Sequence, residues 1–213
     1  AFLQEIDHAL VPDIFSDFTP LETASTISVL PPEDLAELLE VFPREKAEKI
    51  QKLLGSEDRN ELTEVLRYAD ESAGRIMSHE YMAFDENLSM SEAIEKFQQF
   101  GEEVEMPFYI YVVDSNKKMT GVLSLRELLL NKPDIQLKSI MERDFIYVTP
   151  EEDQEVVADL VTQYNYLALP VLETDGTLAG IVTVDDVIDI IREESSEDIM
   201  KMACAGEDED ILL

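Results

Sequence analysis

The chain has 213 residues, with 48 Asp and Glu against 16 Lys and Arg, and a formal charge of −32 at pH 7. This charge disfavours nucleic acid as a partner, because phosphate binding needs a basic surface, and it disfavours an anionic membrane surface for the same reason. The hydrophobic fraction of 45% is nevertheless too high for an acidic disordered tail. The sequence therefore predicts a folded chain with cores to bury.

The single cysteine, Cys204, excludes an internal disulfide and indicates a reducing compartment. No apolar run approaches the length of about 18 residues that a membrane-spanning helix needs, and the N-terminus lacks a signal-peptide pattern. We therefore expect a soluble, cytosolic chain. Because it begins at Ala1 without an initiator methionine and stops at EDEDILL, we also expect it to be a piece of a longer protein.

Residues 1–69 predict an all-helical domain. Prolines separate the segments PPEDLAELLEVF, PREKAEKIQKLLG and SEDRNELTEVLRY, and Pro32 and Pro43 are suited to helix starts. Apolar positions such as Leu35 and Leu39 recur at a spacing of three and four residues. This pattern is typical of short amphipathic helices that pack as hairpins.

From residue 70 onward the chain repeats itself. The segment YVVDSNKKMTGVLSLRELL from Tyr111 parallels PVLETDGTLAGIVTVDDVI from Pro170, so that Gly121 matches Gly180. The upstream segments RIMSHEYMAFDENLSMSEAIEKF and SIMERDFIYVTPEEDQEVVADL also correspond. Each repeat has the predicted order of short strand, helix, strand, strand and helix, which predicts two half-sized α/β modules after the helical domain.

These residues carry a resemblance to a known family. The patterns GVLSLRE and GIVTVDD resemble a tandem pair of CBS domains, and with ESAGRIM, YIYVVD and SSEDIMK after a helical domain they are similar to the cytosolic region of MgtE-type magnesium transporters. The resemblance covers essentially the whole chain. It implies an α+β multidomain fold with a superhelical all-α domain at 1–69, CBS domains at 70–135 and 136–192, and an exit helix at 193–213 that leads toward a membrane domain outside this sequence.

The resemblance also implies magnesium-binding carboxylates. Mg²⁺ takes oxygen ligands, keeps several waters and is commonly held by one or two carboxylates, and clusters without His or Cys exclude zinc. The family positions fall on Glu33, Asp34, Glu155, Asp186, Asp189, Glu194, Glu197 and Asp198. Asn165 stands where an acid is expected, so a site that relies on it would be weaker. The alternative is an ordinary solvated acidic face, with Glu33 and Asp34 favoured by a helix N-terminus.

A nucleotide site is a second implication of the CBS resemblance, because the cleft between paired CBS modules often holds an adenine nucleotide. Tyr109, Ser124, Arg126 and Tyr166 lie where such a site would form, so the implied cofactors are Mg²⁺ and ATP. Two observations oppose this site. Tyrosines beside strands more often pack in the core or cleft, and Glu127 stands where nucleotide-binding modules commonly place an Asp for the ribose.

The sequence does not predict an enzyme, because His8 and His79 belong to no recognisable triad or metal motif. We interpret the chain as the magnesium-sensing cytosolic portion of a cell-membrane transporter or channel, in which Mg²⁺ bridges acidic clusters, closes the domains and shuts transport. The alternative is an adenine-nucleotide-sensing CBS module of another effector. A purely structural scaffold is a third reading.

Two partners are expected. One is the transmembrane domain of the same chain, and the other is a second copy of the chain, because CBS pairs expose apolar helix faces that pack against another pair. The residues expected on these faces are Leu125, Leu128 and Leu129 in the first repeat and Val187, Ile188 and Ile191 in the second.

Overall fold

The computed structural model of the chain describes residues 10–100, 104, 107–192 and 194–195. The chain divides into two compact units, Ala1–Asp70 and Glu71–Leu213. Within the described residues, no helix combines the length and the apolar character needed to cross a membrane.

The described part of the first unit consists of short helices. They are α1 (Val11–Ile14), α2 (Pro20–Ile27), α3 (Pro32–Val41), α4 (Arg44–Leu53) and α5 (Ser56–Val65). Proline is the first residue of α2 and of α3, where its missing N–H leaves no hydrogen bond unmade. Thr19 caps α2, since its hydroxyl accepts from the Glu22 N–H while the Glu22 carboxylate accepts from the Thr19 N–H. The all-helical character that the sequence predicts here is confirmed.

Helix α3 is the central element of the first unit, because it contacts α1, α4 and α5. Its apolar face, Leu35, Leu38 and Leu39, is buried as the three-and-four spacing predicts. The rings of Phe15 and Phe42 meet edge to face beside it, with centroids 5.7 Å apart. The acids in the first turn of α3 are therefore carried on an element that a packed core holds.

The second unit contains the two α/β modules. After a short helix α6 (Ala73–Ile76), the first module comprises β1 (Ala83–Asp85), α7 (Met90–Phe100), β2 (Tyr109–Val113), β3 (Met119–Ser124) and α8 (Leu125–Leu130). After a 3₁₀ turn (Leu137–Ser139), the second module comprises α9 (Gln154–Tyr164), β4 (Ala168–Leu172), β5 (Leu178–Thr183) and a helix α10 over 184–192, with 194 and 195 also helical.

The strands pair in a similar way in the two modules. In the first module β2 pairs in parallel with β1 and antiparallel with β3. In the second, β4 and β5 are antiparallel, and a single parallel bridge from Val148 to Val171 takes the place of β1.

Each module is completed by the segment that precedes the other one. Residues 71–78, the leading segment, form hydrogen bonds with the second module, and residues 135–142, the middle segment, form hydrogen bonds with the first.

Backbone hydrogen bonds hold each segment in place. Those of the leading segment run from Ala73 N–H to Glu152 C=O (2.7 Å), from Gly74 N–H to Pro150 C=O (2.9 Å) and from Gln154 N–H to Glu71 C=O (2.8 Å). The middle segment is held by the equivalent bonds from Leu137 N–H to Leu88 C=O (2.9 Å), from Lys138 N–H to Glu86 C=O (3.0 Å) and from Met90 N–H to Ile135 C=O (2.8 Å). The two modules are therefore interlocked by a two-fold internal repeat.

The matched glycines mark the closest approach of these segments to the strands. A Cβ atom on Gly180 would lie 2.8 Å from Cγ of Met77, and one on Gly121 would lie 2.7 Å from Cγ of Met141. Both positions require glycine, because a side chain there would displace a buried methionine. The sequence repeat that aligns Gly121 with Gly180 is confirmed, and the two residues have the same structural role.

Candidate functional site

Asp186 closes a hydrogen-bonded cap at the start of α10. Its Oδ2 accepts from the Thr183 N–H at 2.8 Å and from the Thr183 hydroxyl at 2.7 Å, while the Asp186 N–H lies 3.5 Å from Thr183 Oγ1. Thr183 is fully buried. The residue predicted as a magnesium ligand thus also has a structural role, which the sequence pattern T-x-x-D before a helix would have indicated.

Asp189, the next predicted acid on this helix, faces water. Asp189 Oδ1 accepts from Arg192 Nη1 at 2.9 Å, and these side chains are 70% and 74% exposed, so water screens the pair. Glu194 is half-buried on the same helix. Glu197 and Asp198 lie outside the described residues.

Glu155 lies at the start of α9, where the helix dipole favours a carboxylate. Its side chain is exposed, and its N–H donates to Oδ1 of the capping residue Asp153 at 2.8 Å. At the other end of α9, Asn165 has a left-handed backbone with φ of 54°, which asparagine adopts more readily than most residues. Asn165, which stands where the family resemblance predicts an acid, therefore ends helix α9.

In the first unit, the predicted acids Glu33 and Asp34 share the first turn of α3 and are both half-buried. They are adjacent in sequence and on one helix, so they form a local pair of carboxylates.

Across residues 10–100, 104, 107–192 and 194–195, no group of three or more His, Cys, Asp or Glu side chains is arranged to hold a metal ion. The predicted acids on these residues occur singly or in pairs along helices. Hydrated Mg²⁺ fits such an arrangement, because it retains several waters and binds through one or two carboxylates. These residues do not fit a closed cage that supplies every ligand from the protein.

An open groove of about 720 Å³ lies in the second unit and brings together three of the four residues predicted for a nucleotide. Tyr109, Ser124 and Arg126 supply its polar groups. Its apolar lining consists of Phe108, Leu125, Leu129, Leu130 and Leu167. The sequence analysis missed Phe108 and Leu167, although they match each other at the spacing that relates Gly121 to Gly180.

Tyr166, the fourth predicted residue, precedes the lining residue Leu167. Its ring stacks on that of Tyr164, with centroids 5.8 Å apart and an interplanar angle of 15°. Partial burial raises the pKa of Tyr166, and the nearby phenol of Tyr109 and carboxylates of Glu142 and Asp144 add to this effect. The phenol is therefore a neutral hydrogen-bonding group at physiological pH.

Ser124 caps α8 in the same way as Thr183 caps α10. The Ser124 N–H and hydroxyl donate to Glu127 Oε2 at 2.9 and 2.7 Å. Glu127, which stands where nucleotide-binding modules commonly place an Asp for the ribose, is therefore part of this cap. Arg126 is exposed between these two residues. It presents a cation at the edge of the mainly apolar groove, where it can pair with a phosphate.

The apolar residues expected on the outer helix faces differ in their exposure. Leu129, Ile188 and Ile191 are exposed, whereas Leu125 is half-buried. The expectation is wrong for Leu128 and Val187, which are buried. Leu128 belongs to the core of its own module and cannot present its side chain to a second copy.

Comparisons with known proteins cover both units. Residues 1–71 match the model of the MgtE intracellular N domain, and residues 73–133 and 137–193 match the model of the CBS domain. The crystal structure of the soluble part of a magnesium transporter is similar at 33% identity and a TM-score of 0.83, covering 90% of this chain and 76% of that chain. The chain belongs to the MgtE family.

Two further MgtE proteins illustrate the relationship. The magnesium transporter MgtE of Thermus thermophilus is 37% identical over 173 residues, which are 80% of this chain but 38% of that protein, so this chain spans well under half of its relative. The crystal structure of the cytosolic domain of the Mg²⁺ channel MgtE in complex with ATP is 33% identical, with a TM-score of 0.66, and the match covers 88% of this chain and 82% of that chain.

Membership in the MgtE family confirms the resemblance and the fold class read from the sequence. The chain corresponds to the cytosolic part of a membrane protein, as predicted. It belongs to a regulatory and transport family, which agrees with the prediction that it is not an enzyme.

Proposed function

We propose that this chain is the magnesium-sensing regulatory region of a magnesium transporter or channel. The observation that carries the proposal is the surplus of carboxylates on α10, where Asp186, Asp189 and Glu194 accompany one cation, Arg192. The magnesium transporters among the MgtE relatives support the choice of ion. The predicted acids Glu33, Asp34, Glu155, Glu197 and Asp198 are assigned to the same function.

The proposed mechanism is electrostatic. Like charges three or four residues apart destabilise a helix by about 0.2–0.5 kcal/mol per pair, and a divalent ion between them removes that repulsion. When Mg²⁺ is abundant, ions bridge the acidic clusters, the helical unit and the CBS pair close, and transport stops. When Mg²⁺ is scarce, repulsion opens them. A few kcal/mol of differential binding, summed over several ions, is enough to shift such an equilibrium.

The test measures thermal unfolding and the radius of gyration in solution as Mg²⁺ is added. The wild-type protein is expected to compact and to gain stability, by about 2.7 kcal/mol at an ion concentration of 100 times Kd. The variant Asp189→Asn/Glu194→Gln should respond less. A matched control, Glu61→Gln/Glu95→Gln, removes two exposed acids from other helices and should keep the full response.

Sodium at equal ionic strength separates specific binding from screening. The proposal fails if Na⁺ reproduces the Mg²⁺ response, or if both double variants respond like the wild type. The acidic face of α10 would then be an ordinary solvated surface.

A second function, adenine-nucleotide sensing, is favoured by the groove at Arg126. The tyrosines and leucines that surround this cation give an apolar surface for a base beside a group that binds phosphate. The ATP complex of an MgtE cytosolic domain supports the choice of ligand. By calorimetry, Arg126→Gln should weaken ATP binding by about tenfold, as expected for one charge-assisted hydrogen bond.

Arg44→Gln is the control for this experiment, because Arg44 is 93% exposed and lies on α4 in the other unit. It should leave ATP affinity unchanged. A compaction that requires ATP and not Mg²⁺ would favour nucleotide sensing over magnesium sensing. A chain that responds to neither ligand would be a structural scaffold.

We also propose that the chain forms a homodimer through α8 and α10, followed in the longer protein by its transmembrane domain. The exposed apolar side chains of Leu129, Ile188 and Ile191 lie on these two helices, and a two-fold dimer would remove them from water. Sedimentation at tens of micromolar should give twice the chain mass of 24.2 kDa. Leu129→Glu/Ile188→Glu should give the monomer, and a wild-type monomer with and without Mg²⁺ would refute the proposal.

A further inference from the structure

The leading segment, residues 71–78, is built into the second module over its whole length. Besides its bonds to residues 150–154, it makes a reciprocal pair with β5, in which the Ser78 N–H donates to the Ile181 C=O at 2.7 Å and the Ile181 N–H donates to the Ser78 C=O at 3.0 Å. Met77 and Ser78 are buried, with Met77 against Gly180. The segment follows directly on Asp70, the last residue of the first unit.

Strand β5 joins this segment to α10 within a few residues. Ile181 pairs with Ser78, and two residues later Thr183 supplies the cap that begins α10. Thr183 is fully buried, so its position is fixed by the strand and the core. Two residues of paired strand and one hydrogen-bonded cap therefore separate Ser78 from the first turn of α10.

The middle segment provides the internal comparison. Glu142 exchanges the same two backbone bonds with Val122 of β3, at 2.9 and 3.0 Å, and β3 leads to the Ser124 cap of α8. Both ends of this middle segment belong to the second unit. The leading segment differs because the chain that enters it comes from the other compact unit.

We propose that the leading segment is a coupling element, which through its pairing with β5 sets the position and the local stability of α10. Met77, Ser78 and Thr183 are its positioning residues. The coupling is a property of the fold alone and needs no bound ion, so it stands or falls independently of magnesium sensing.

Hydrogen exchange measured by mass spectrometry, in buffer with a chelator, tests this coupling. Gly180→Ala places a Cβ atom against Met77, so Met77 must move away from β5. The exchange rates of amides 187–192 in α10 should then rise by about tenfold. The exchange rates of amides 128–131 should change little, because only the element that loses its support becomes looser. Gly121→Ala is the matched control, since its Cβ meets Met141 equally closely. It should show the reverse, with faster exchange in α8 and little change in α10.

Met77→Ala and Met141→Ala provide a second pair that loosens the same two contacts by removing atoms, in case the alanine variants do not fold. Equal acceleration of both helices in both members of a pair would show global destabilisation and overturn the proposal. Unchanged exchange in α10 after substitution at Gly180 or Met77 would also overturn it.

Discussion

Substitution of Asp186 separates its structural role from its proposed role as a magnesium ligand. In Asp186→Ala, α10 loses its cap, which is worth about 0.5–2 kcal/mol for capping side chains. The buried Thr183 also loses the acceptor for its N–H and its hydroxyl, and a buried unsatisfied donor raises the free energy of the folded state by about 1–3 kcal/mol. Relief of repulsion between Asp186 and Asp189 returns about 0.2–0.5 kcal/mol. Because the cap and the buried Thr183 donors are the same hydrogen bonds, they are counted once, and the net expectation is a loss of about 1–3 kcal/mol in the free energy of unfolding.

Urea denaturation in the presence of a chelator measures this loss without any contribution from bound ions. Asp186→Asn should retain most of the stability, because its side-chain carbonyl can still accept from Thr183 although the charge is gone. Glu127→Ala removes the equivalent cap of α8 and should produce a loss of similar size.

The opposite result would refute the reasoning. Repulsion along the acidic helix acts in the opposite sense, because neutralising Asp186 relieves it and by itself would stabilise the ion-free protein. If Asp186→Ala is as stable as the wild type or more stable in the chelator, repulsion outweighs the cap, and the hydrogen bonds to Thr183 contribute less than their burial implies.

Other predictions concern buried and half-buried polar groups. Tyr111→Phe should raise the free energy of unfolding by about 1 kcal/mol, because the buried hydroxyl has no partner among the residues that the structure describes, and a loss in urea would contradict this. Burial raises the pKa of Tyr111, so the wild type should lose stability as pH rises above the ordinary tyrosine value of about 10, and the Phe variant should lose less. Lys46→Met should lower stability by about 1 kcal/mol, since Nζ donates to the Phe15 C=O at 2.6 Å and lies 5.0 Å from the Phe42 ring centroid. Lys49→Met, which breaks an exposed pair, should have little effect, and equal losses would refute the assignment.

The fold was largely predictable because its strongest signals are periodic. The spacing of Leu35 and Leu39 indicates an amphipathic helix without any knowledge of its neighbours, and the match of Gly121 with Gly180 reveals the duplication. The interlocking of the modules was not predictable. The bonds from 71–78 to the second module join residues far apart in sequence, and no local pattern specifies such a partner.

The outer faces of α8 and α10 were harder to predict for a different reason. Helix α8, LRELLL, has four leucines in six residues, so its helical wheel has no polar side that would orient it. Only the position of the sheet determines that Leu128 is buried while Leu129 is exposed. The cap was predictable, because Thr183 and Asp186 form the pattern T-x-x-D before a helix. The surplus of acids on α10 instead favoured a prediction of metal binding alone.

The duplicated modules use one backbone plan to present opposite charges. The glycine and the cap recur in both, and at the same spacing Arg126 of α8 is matched by Asp185 of α10, and Leu130 by Asp189. Because these side chains are exposed, a change of charge there has little effect on the packing that fixes the helix. The first module therefore offers a cation beside an apolar groove, which suits a phosphate, whereas the second offers carboxylates, which suit a hydrated divalent cation. Duplication of a single scaffold is thus sufficient to place a cationic and an anionic surface on one chain.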